Sequence, residues 1–550
     1  MTDAAGTNPA NTANTANSAN TKVFGIDLGT TYSAIAHVDE FGTAQIIENE
    51  DGQPTTPSVV YFEDDSSFVV GQEAKNGQKL FPDDTVSLIK RHMGERMTLN
   101  FHGRDFTPES ISALILRQLV EVAQEMEDTD TNSVVITVPA YFGTVEKQAT
   151  LHAGEIAGLD VRGIITEPVA AALSAGFKPG ENTTIFVYDL GGGTMDCTIM
   201  DLNDDGVEVL AVDGDRHLGG ADWDAELLDL VAGKFMLETG IDDDPTLDDQ
   251  FYQDLLSNVE QAKISLSRRK KAKIRCQYRN EAAAMVEITR EEFEDRTRDK
   301  VNQTLRVVDR AIDKAKQKRP DLEIEKYLLV GGSSKMPMIS NALEQTYGWE
   351  LTPTEFDLAV AKGAAIYGQG NMDYATSTVG EEVAEDTQKH FITGGVDGSQ
   401  QARTITNVLP KSVGVKFFNV DTKQPYIGHI LHAGESLPAE AVTTAYTVHD
   451  NTTSLAFFIF EQLGEVESEA LAANKEISPA GGALLDNLPN LPKGSEVKLI
   501  MSVDADGIVT LQGHEPTSNS FFELQAQVSA LDAEEVADAR NQVGLMQRGE

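Results

Sequence analysis

Several things are scarce in this chain, and each shortage excludes a class of protein. Only Cys197 and Cys276 are cysteine among 550 residues. They stand far apart, so a disulfide framework is not indicated. Strand alternation puts Cys197 on the core-facing register with Met195 and Ile199, where it serves as a small hydrophobe. No apolar run of about 18 residues occurs, which leaves no candidate membrane span. The G-x-x-x-x-G-K-[ST] and G-x-G-x-x-G spacings are both absent, which excludes a P-loop and a dinucleotide fingerprint. Basic residues are few: 44 Lys and Arg stand against 88 Asp and Glu, a net charge of −44. A phosphate backbone would be repelled by such a chain, so nucleic acid is not an expected partner. The charge speaks for solubility and self-repulsion, not for a fold.

What is present is a globular composition, 40% hydrophobic and 24% charged, in a chain long enough for more than one domain. Two stretches look like copies of one device. Val23–Val38 contains Asp27-Leu-Gly-Thr-Thr-Tyr32, and Ile185–Met200 contains Asp189-Leu-Gly-Gly-Gly-Thr194. Each is an apolar strand ending in Asp, a Gly/Thr turn and a second apolar strand, the pattern of a β-hairpin. Glycine lets backbone N–H groups approach a phosphate closely. Asp27 and Asp189 sit where acids holding a metal ion through water would sit. One such hairpin is ordinary, whereas two with the same Asp-Leu-Gly junction point to a duplicated nucleotide clamp.

Other candidates depend on that clamp for their meaning. Alternation puts Thr194, Asp196 and Thr198 on one strand face, which is expected to look into the cleft. Lys90, in Ser87-Leu-Ile-Lys-Arg-His92, is a candidate for stabilising a transferring phosphoryl group, mainly an electrostatic task. Glu167 precedes Pro168 at a helix start, where it caps the helix or positions water. Glu260, Lys263 and Ser267 share one helical face, opposite a stripe of Leu255, Val259, Ala262 and Leu266. By pattern alone they are a solvated face. Tyr327-Leu-Leu-Val-Gly-Gly-Ser-Ser-Lys-Met-Pro337 reads as strand, Gly-Gly turn and helix start, permitting close approach to a ligand.

Along the chain, residues 1–21 read as a disordered Ala/Asn/Thr-rich tail without a signal-peptide core. From 22 to 370, strands such as Val134–Val138 and Tyr327–Val330 alternate with helices over Ser110–Glu125, Val145–Gly158, Asp222–Glu238, Gln253–Ser267 and Arg290–Lys316. This is an α/β pattern with ligands expected at strand ends. Residues 371–404 read as a flexible acidic connection. Short strands over 405–528 suggest a β-sandwich. Residues 529–550 hold at most one short helix.

On these residues the chain resembles the seventy-kilodalton heat-shock (DnaK-type) chaperone family, as a divergent member with a shortened C-terminal region. Gly25–Ser33, Tyr188–Asp196 and Leu329–Pro337 look like its three signatures, and Ile136–Phe142, His217–Gly220 and Glu260–Ser267 also match. The likeness is strong from Lys22 to about Gly370 and weaker from Thr404 to Gln525. It implies an actin-like (ribonuclease H-like), two-lobed ATPase domain followed by a small β-sandwich that grips extended peptides. Gly29, Thr30, Thr31, Tyr32, Gly192, Gly193 and Thr194 would contact phosphate. Asp27, Asp189 and Asp196 would surround Mg²⁺ and its waters. Lys90 and Glu167 would serve hydrolysis of ATP. Glu260, Lys263, Ser267, Gly331, Gly332, Ser333 and Lys335 would hold adenosine, with Asp357 nearby. Lys335 stands where the family usually carries an Arg stacked on adenine, and Lys stacks less well. Val415, Phe417, Phe418, Tyr446, Leu455 and Phe457 would lie near the peptide channel, or else be sandwich core.

The resemblance implies unfolded polypeptide clients, a J-domain co-chaperone, a nucleotide-exchange factor and a cytoplasmic setting. Three departures bear on coupling: Ala402–Val408 replaces the Leu-rich linker, the helical lid is missing, and Gly163, Thr166 and Val169 alter the co-chaperone surface. A nucleotide-controlled module for one dedicated partner, and a small-molecule kinase on the same scaffold, are the rival readings.

Overall fold

The computed structural model describes residues 22–176, 182–352, 355, 357–377, 389–394, 400–464, 466–479, 481–505, 507–526 and 530–549. The expected tail at 1–21 lies outside them.

Two sheets repeat one topology. In the first lobe, Phe24–Asp27 and Tyr32–Val38 form a hairpin continued by Ala44–Ile47. Ser133–Val138 lies parallel beside Phe24–Asp27, with Asp160–Thr166 beyond. In the second lobe, Thr183–Leu190, Met195–Asn203 and Gly206–Asp215 form the antiparallel run. Lys326–Val330 lies parallel beside Thr183–Leu190, with Leu351–Thr352 beyond. Parallel strands need long crossovers, and helices fill them. One crossover helix, Pro108–Glu127, starts at Thr107, whose hydroxyl accepts from Ser110 N at 3.3 Å while Ser110 Oγ accepts from Thr107 N at 2.8 Å.

The central strands are apolar on both faces because both faces are covered: all eight residues of Thr183–Leu190 are buried. Helix Ala359–Ser377 packs directly behind the first hairpin. A Cβ on Gly25 would overlap the backbone of Ala361 and Ala365, and one on Gly363 would overlap the Ala170 carbonyl. Those two glycines allow the backbone contact that ties the crossing helices Glu167–Ala175 and Ala359–Ser377 to the first lobe.

Three expectations change, and a fourth, the short C-terminal helix, is met with a docking the pattern did not reveal. Arg290–Lys316 is two helices, Arg290–Arg296 and Arg298–Lys318. At the break, buried Thr297 turns its hydroxyl back to Phe293 O at 2.8 Å. The supposed flexible connection contains strands: Gln400–Thr406 pairs parallel with Gly206–Asp215 and antiparallel with Lys389–Gly394. Ile405 enters the second lobe's core, so the sandwich strands begin only at Val413. Residues 378–388 and 395–399 of that connection lie outside the described residues. Strand Gln424–Leu431, absent from the pattern reading, pairs with Val413–Asn419. Finally, Ala533–Leu545 is a helix built into the first lobe, with Leu531, Val536, Val543 and Met546 in its core. Arg117 donates to Val543 O at 2.7 Å and Met546 O at 2.9 Å, and Gln547–Arg548 adds to the edge of Ser67–Val70.

Among the described residues, the sandwich has a two-stranded pair, Leu455–Phe457 with Ala483–Leu485, and two four-stranded sheets. One runs Gln424–Leu431, Val413–Asn419, Ile459–Gln462 and Asn474–Glu476. The other runs Ala439–Tyr446, Glu496–Val503, Val509–Glu515 and Ser520–Gln525. Alternation sets the faces: Val497, Leu499, Met501 and Val503 are buried, whereas the residues between them face outward. Among the described residues, no helix is long and apolar enough to cross a membrane.

Candidate active site

The two Gly-rich turns meet across the cleft between the lobes. Thr194 O closes the second turn by accepting from Gly191 N at 3.0 Å. Ser33 and Ser58 brace the first: Gly29 N donates to Ser33 Oγ at 3.2 Å and Ser58 Oγ donates to Gly29 O at 2.8 Å. A Cβ on Gly192 would overlap Thr31, and one on Gly193 would overlap Thr30. Glycine at both positions therefore lets the turns face each other backbone to side chain. Register places Asp189 directly opposite Asp196 on paired strands, so two carboxylates stand together beneath the second turn.

Lys90 answers that negative charge. It is buried, and its Nζ lies 2.5 Å from Glu167 Oε1. Burial disfavours the Lys90 cation, but Glu167 and Asp27 outweigh it and raise the pKa. Burial, reinforced by Glu167, pushes Asp27 up to about 7, against the pull of Lys90 and of the Thr137 hydroxyl at 3.3 Å. Burial and Glu167 likewise hold Asp189 and Asp196 well above the ordinary carboxylate range. Asp196 Oδ1 is buried with no hydrogen-bond partner. This is an anion-rich base that a cation would complete.

At the other end, helix Asp249–Arg268 presents Glu260, Lys263 and Ser267, and the turn after Lys326–Val330 presents Gly331, Gly332, Ser333 and Lys335. Gly331 adopts φ 82°, a conformation favouring glycine, and a Cβ there would overlap Asp189 and Leu190. Lys335 pairs with Asp357 at the rim. Lys263 is not free: its Nζ donates to Asp224 at 2.6 Å and to Gly220 O at 2.8 Å.

The cleft between these elements holds about 580 Å³. Every proposed nucleotide or catalytic residue lines it except Gly193 and Asp196. Among the described residues, no three His, Cys, Asp or Glu side chains are grouped so as to hold a metal ion.

The pattern reading missed four residues. Lys75 bridges the cleft mouth, 2.8 Å from Tyr32 OH and 2.6 Å from a Glu260 oxygen. Asp224 anchors Lys263, and Thr55 also lines the cleft. Arg91, next to Lys90, donates to Gly193 O at 2.9 Å and Asp222 at 2.7 Å, joining the lobes. None stands in a Gly-rich turn, so local pattern gave no cue; only their distance in sequence from their partners marks them.

The sandwich candidates separate. Val415 and Phe457 are core, at 0% and 6% exposure. Phe457 stacks on Phe522 with ring centroids 4.7 Å apart. Phe417 and Leu455 are half-buried, and Phe418 and Tyr446 are exposed. Val169 is buried in an apolar helix, so it belongs to no co-chaperone surface.

Paired strand–turn–strand clamps on two lobes, a carboxylate-rich base and an appended sandwich define the class as a two-lobed, actin-like ATPase with a β-sandwich domain. The Hsp70 protein family profile matches residues 23–100 and 95–547. Chaperone protein DnaK of Halobacterium salinarum is 35% identical over 510 residues, covering 91% of this chain and 74% of that protein. Chaperone protein DnaK of Thermosipho melanesiensis is 34% identical over 498 residues, covering 88% and 77%. The chain belongs to the Hsp70 family, whose members are nucleotide-binding chaperone ATPases.

Proposed function

We propose that this protein is an ATP-dependent chaperone that hydrolyses ATP with Mg²⁺ in the interlobe cleft and binds exposed apolar polypeptide segments through its sandwich. The observation that carries the reading is the opposition of two Gly-rich turns above Asp27, Lys90, Glu167 and Asp189, with Asp196 paired to Asp189. Backbone N–H groups of Gly29 to Thr31 and Gly192 to Thr194 would hold phosphates from opposite sides. The unpartnered Asp196 oxygen and the disfavoured charges of Asp27 and Asp189 fit a hydrated divalent cation. Mg²⁺, when bound, supplies charge neutralisation on the phosphates.

Asp189, Asp196 and Glu167 would orient the attacking water, and Lys90 and Thr194 would oppose charge developing on the transferred group. Glu260, Lys263, Ser267 and the Gly331–Lys335 turn would hold adenosine. In the sandwich, Phe417, Phe418, Tyr446 and Leu455 are the accessible candidates for an extended apolar client. J-domain and nucleotide-exchange partners, and a cytoplasmic setting in keeping with buried free Cys197 and Cys276, belong to the same reading. Single-turnover ATP hydrolysis with and without an extended apolar peptide tests it. Slow hydrolysis accelerated by peptide is expected; hydrolysis indifferent to every such peptide contradicts the chaperone assignment.

A further inference from the structure

The polypeptide Asp215–Gly220 links a strand of the second lobe to helix Gly220–Thr239 and straps the second Gly-rich turn from behind. Gly191 O accepts from Gly220 N at 3.0 Å, and Gly192 O accepts from Ala221 N at 2.8 Å. A Cβ on Gly219 would overlap the Gly193 backbone. The strap therefore sets where the phosphate turn lies.

Its other side faces a buried ionic junction. Arg216 leaves the second lobe and pairs with Glu146 on helix Thr144–Ile156 of the first. Glu95 of the first lobe lies 3.9 Å from the same guanidinium. Glu146 is shared with the sandwich: Lys411 Nζ is 3.4 Å from Glu146 and 3.5 Å from Glu461. Burial alone would push Glu146 up, but Lys411 and Arg216 outweigh it and hold it down to about 2.

The sandwich is seated on the start of that same helix. Its N-cap is Gly143, which has no side chain to offer. Glu461 fills the position, accepting from Thr144 N at 3.4 Å and packing where a Gly143 Cβ would stand. Thr144 Oγ1 donates to Gly507 O at 2.8 Å, and Lys475 donates to Gly94 O at 3.1 Å. Glu146 and Glu461 are both buried. Three bodies thus meet at one carboxylate: the strap through Arg216, the first lobe through Glu146 and the sandwich through Lys411.

We propose that Arg216 is a positioning residue through which the seated sandwich pins the phosphate strap. Loss of Lys411 removes one of the cations acting on Glu146, beside Arg216 and Lys475, and frees Glu461 from its bridge. Arg216 then carries the closest pairing with Glu146 and can follow it away from the strap's present position. The sandwich therefore reaches the phosphate turn without touching nucleotide. The inference deepens the ATPase reading above and rests on it.

The test uses the full chain with Lys411→Met, Arg216→Gln, both together, and Arg216→Lys. Amide hydrogen exchange over 216–221 is followed without nucleotide, and MgADP affinity is measured by calorimetry. Lys411→Met is expected to speed exchange in the strap and to weaken MgADP about fivefold, the low end of typical coupling between sites. Arg216→Gln should do the same, the double variant no more than either, and Arg216→Lys should restore most of the affinity. Strap exchange unchanged in Lys411→Met, or effects that simply add, overturns the proposal. Strap exchange that responds while even the unaltered protein takes up no nucleotide upholds the pinning and refutes the ATPase reading. Arg216→Lys and the exchange data keep the test valid should Arg216→Gln fail to fold.

Discussion

Lys90, Glu167 and Asp189 line the cleft and are buried, and buried Asp196 stands opposite Asp189 on the paired strand. In the sandwich, the interior is filled by Val413, Val415, Ile459, Leu499, Val509 and Leu511. The first arrangement is electrostatically unfavourable without a ligand, because burial and mutual repulsion hold Asp189 and Asp196 far from their ordinary ionisation. The second is ordinary close packing. On the proposed ATPase reading, the contrast separates residues that serve chemistry from residues that serve folding, and substitutions should separate them too.

The sharpest break between the two regions is in activity. Asp189→Asn should lower turnover about a hundred- to a thousandfold, while the melting temperature of the nucleotide-free protein holds or rises, since a buried repulsion is removed. Lys90→Ala should lose turnover as well, but it leaves Glu167 buried without its partner and should destabilise by about 3–5 kcal/mol. Steady-state ATPase assays and thermal melts on the two variants check this. A fall in melting temperature for Asp189→Asn as large as for Lys90→Ala would erase the contrast.

The mirror experiment lies in the sandwich. Phe457→Ala should cost about 3–5 kcal/mol by opening a cavity beneath Phe522. Phe418→Ala and Tyr446→Ala should stay within about 0.5 kcal/mol, as exposed positions do, and should weaken an extended apolar peptide. Denaturant melts with peptide titrations decide. Peptide affinity unchanged in both exposed variants would remove them from the channel.

A smaller effect is expected from acid. Glu515 closes the turn after Val509–Glu515, accepting from Thr517 N at 2.8 Å and Ser518 N at 2.7 Å. Although burial pushes its carboxyl up, these bonds and the Ser518 hydroxyl win and lower it to about 2. A depressed carboxylate stabilises the fold above its unfolded value of 4.5 and ceases to do so as pH falls towards 2. The sandwich should therefore loosen across that window, and Glu515→Gln should flatten the loss. Smallest is the response to salt. With a net charge of −44, screening relieves self-repulsion, and the melting temperature should climb modestly between low and molar ionic strength.

The same contrast explains what could be read without coordinates. The cleft was legible because its backbone is special: Asp-Leu-Gly at two strand ends and Gly331 at positive φ leave marks in the sequence. Strand alternation placed Thr194, Asp196 and Thr198 in the cleft, whereas of the three only Thr194 lines it. Lys75 and Arg91 were not legible, because an ion pair across two lobes has no local signature. The sandwich was legible only as a class. Val415 and Phe457 look the same in sequence whether they fill a core or line a channel, and only packing separates them from Phe418 and Tyr446. The strand Gln400–Thr406 hid behind its acidic neighbours, because among its described residues Ile405 is the buried hydrophobic one that docks it, beside buried Arg403.

The central claim is that the twin turns grip one nucleotide between the lobes. Calorimetric titration of the full chain with MgATP and MgADP at neutral pH tests it most directly, with Gly192→Val alongside. The account predicts one saturable site in the unaltered protein and a marked loss of affinity in Gly192→Val. No heat of binding in the unaltered protein, or equal affinity in the two, would contradict it.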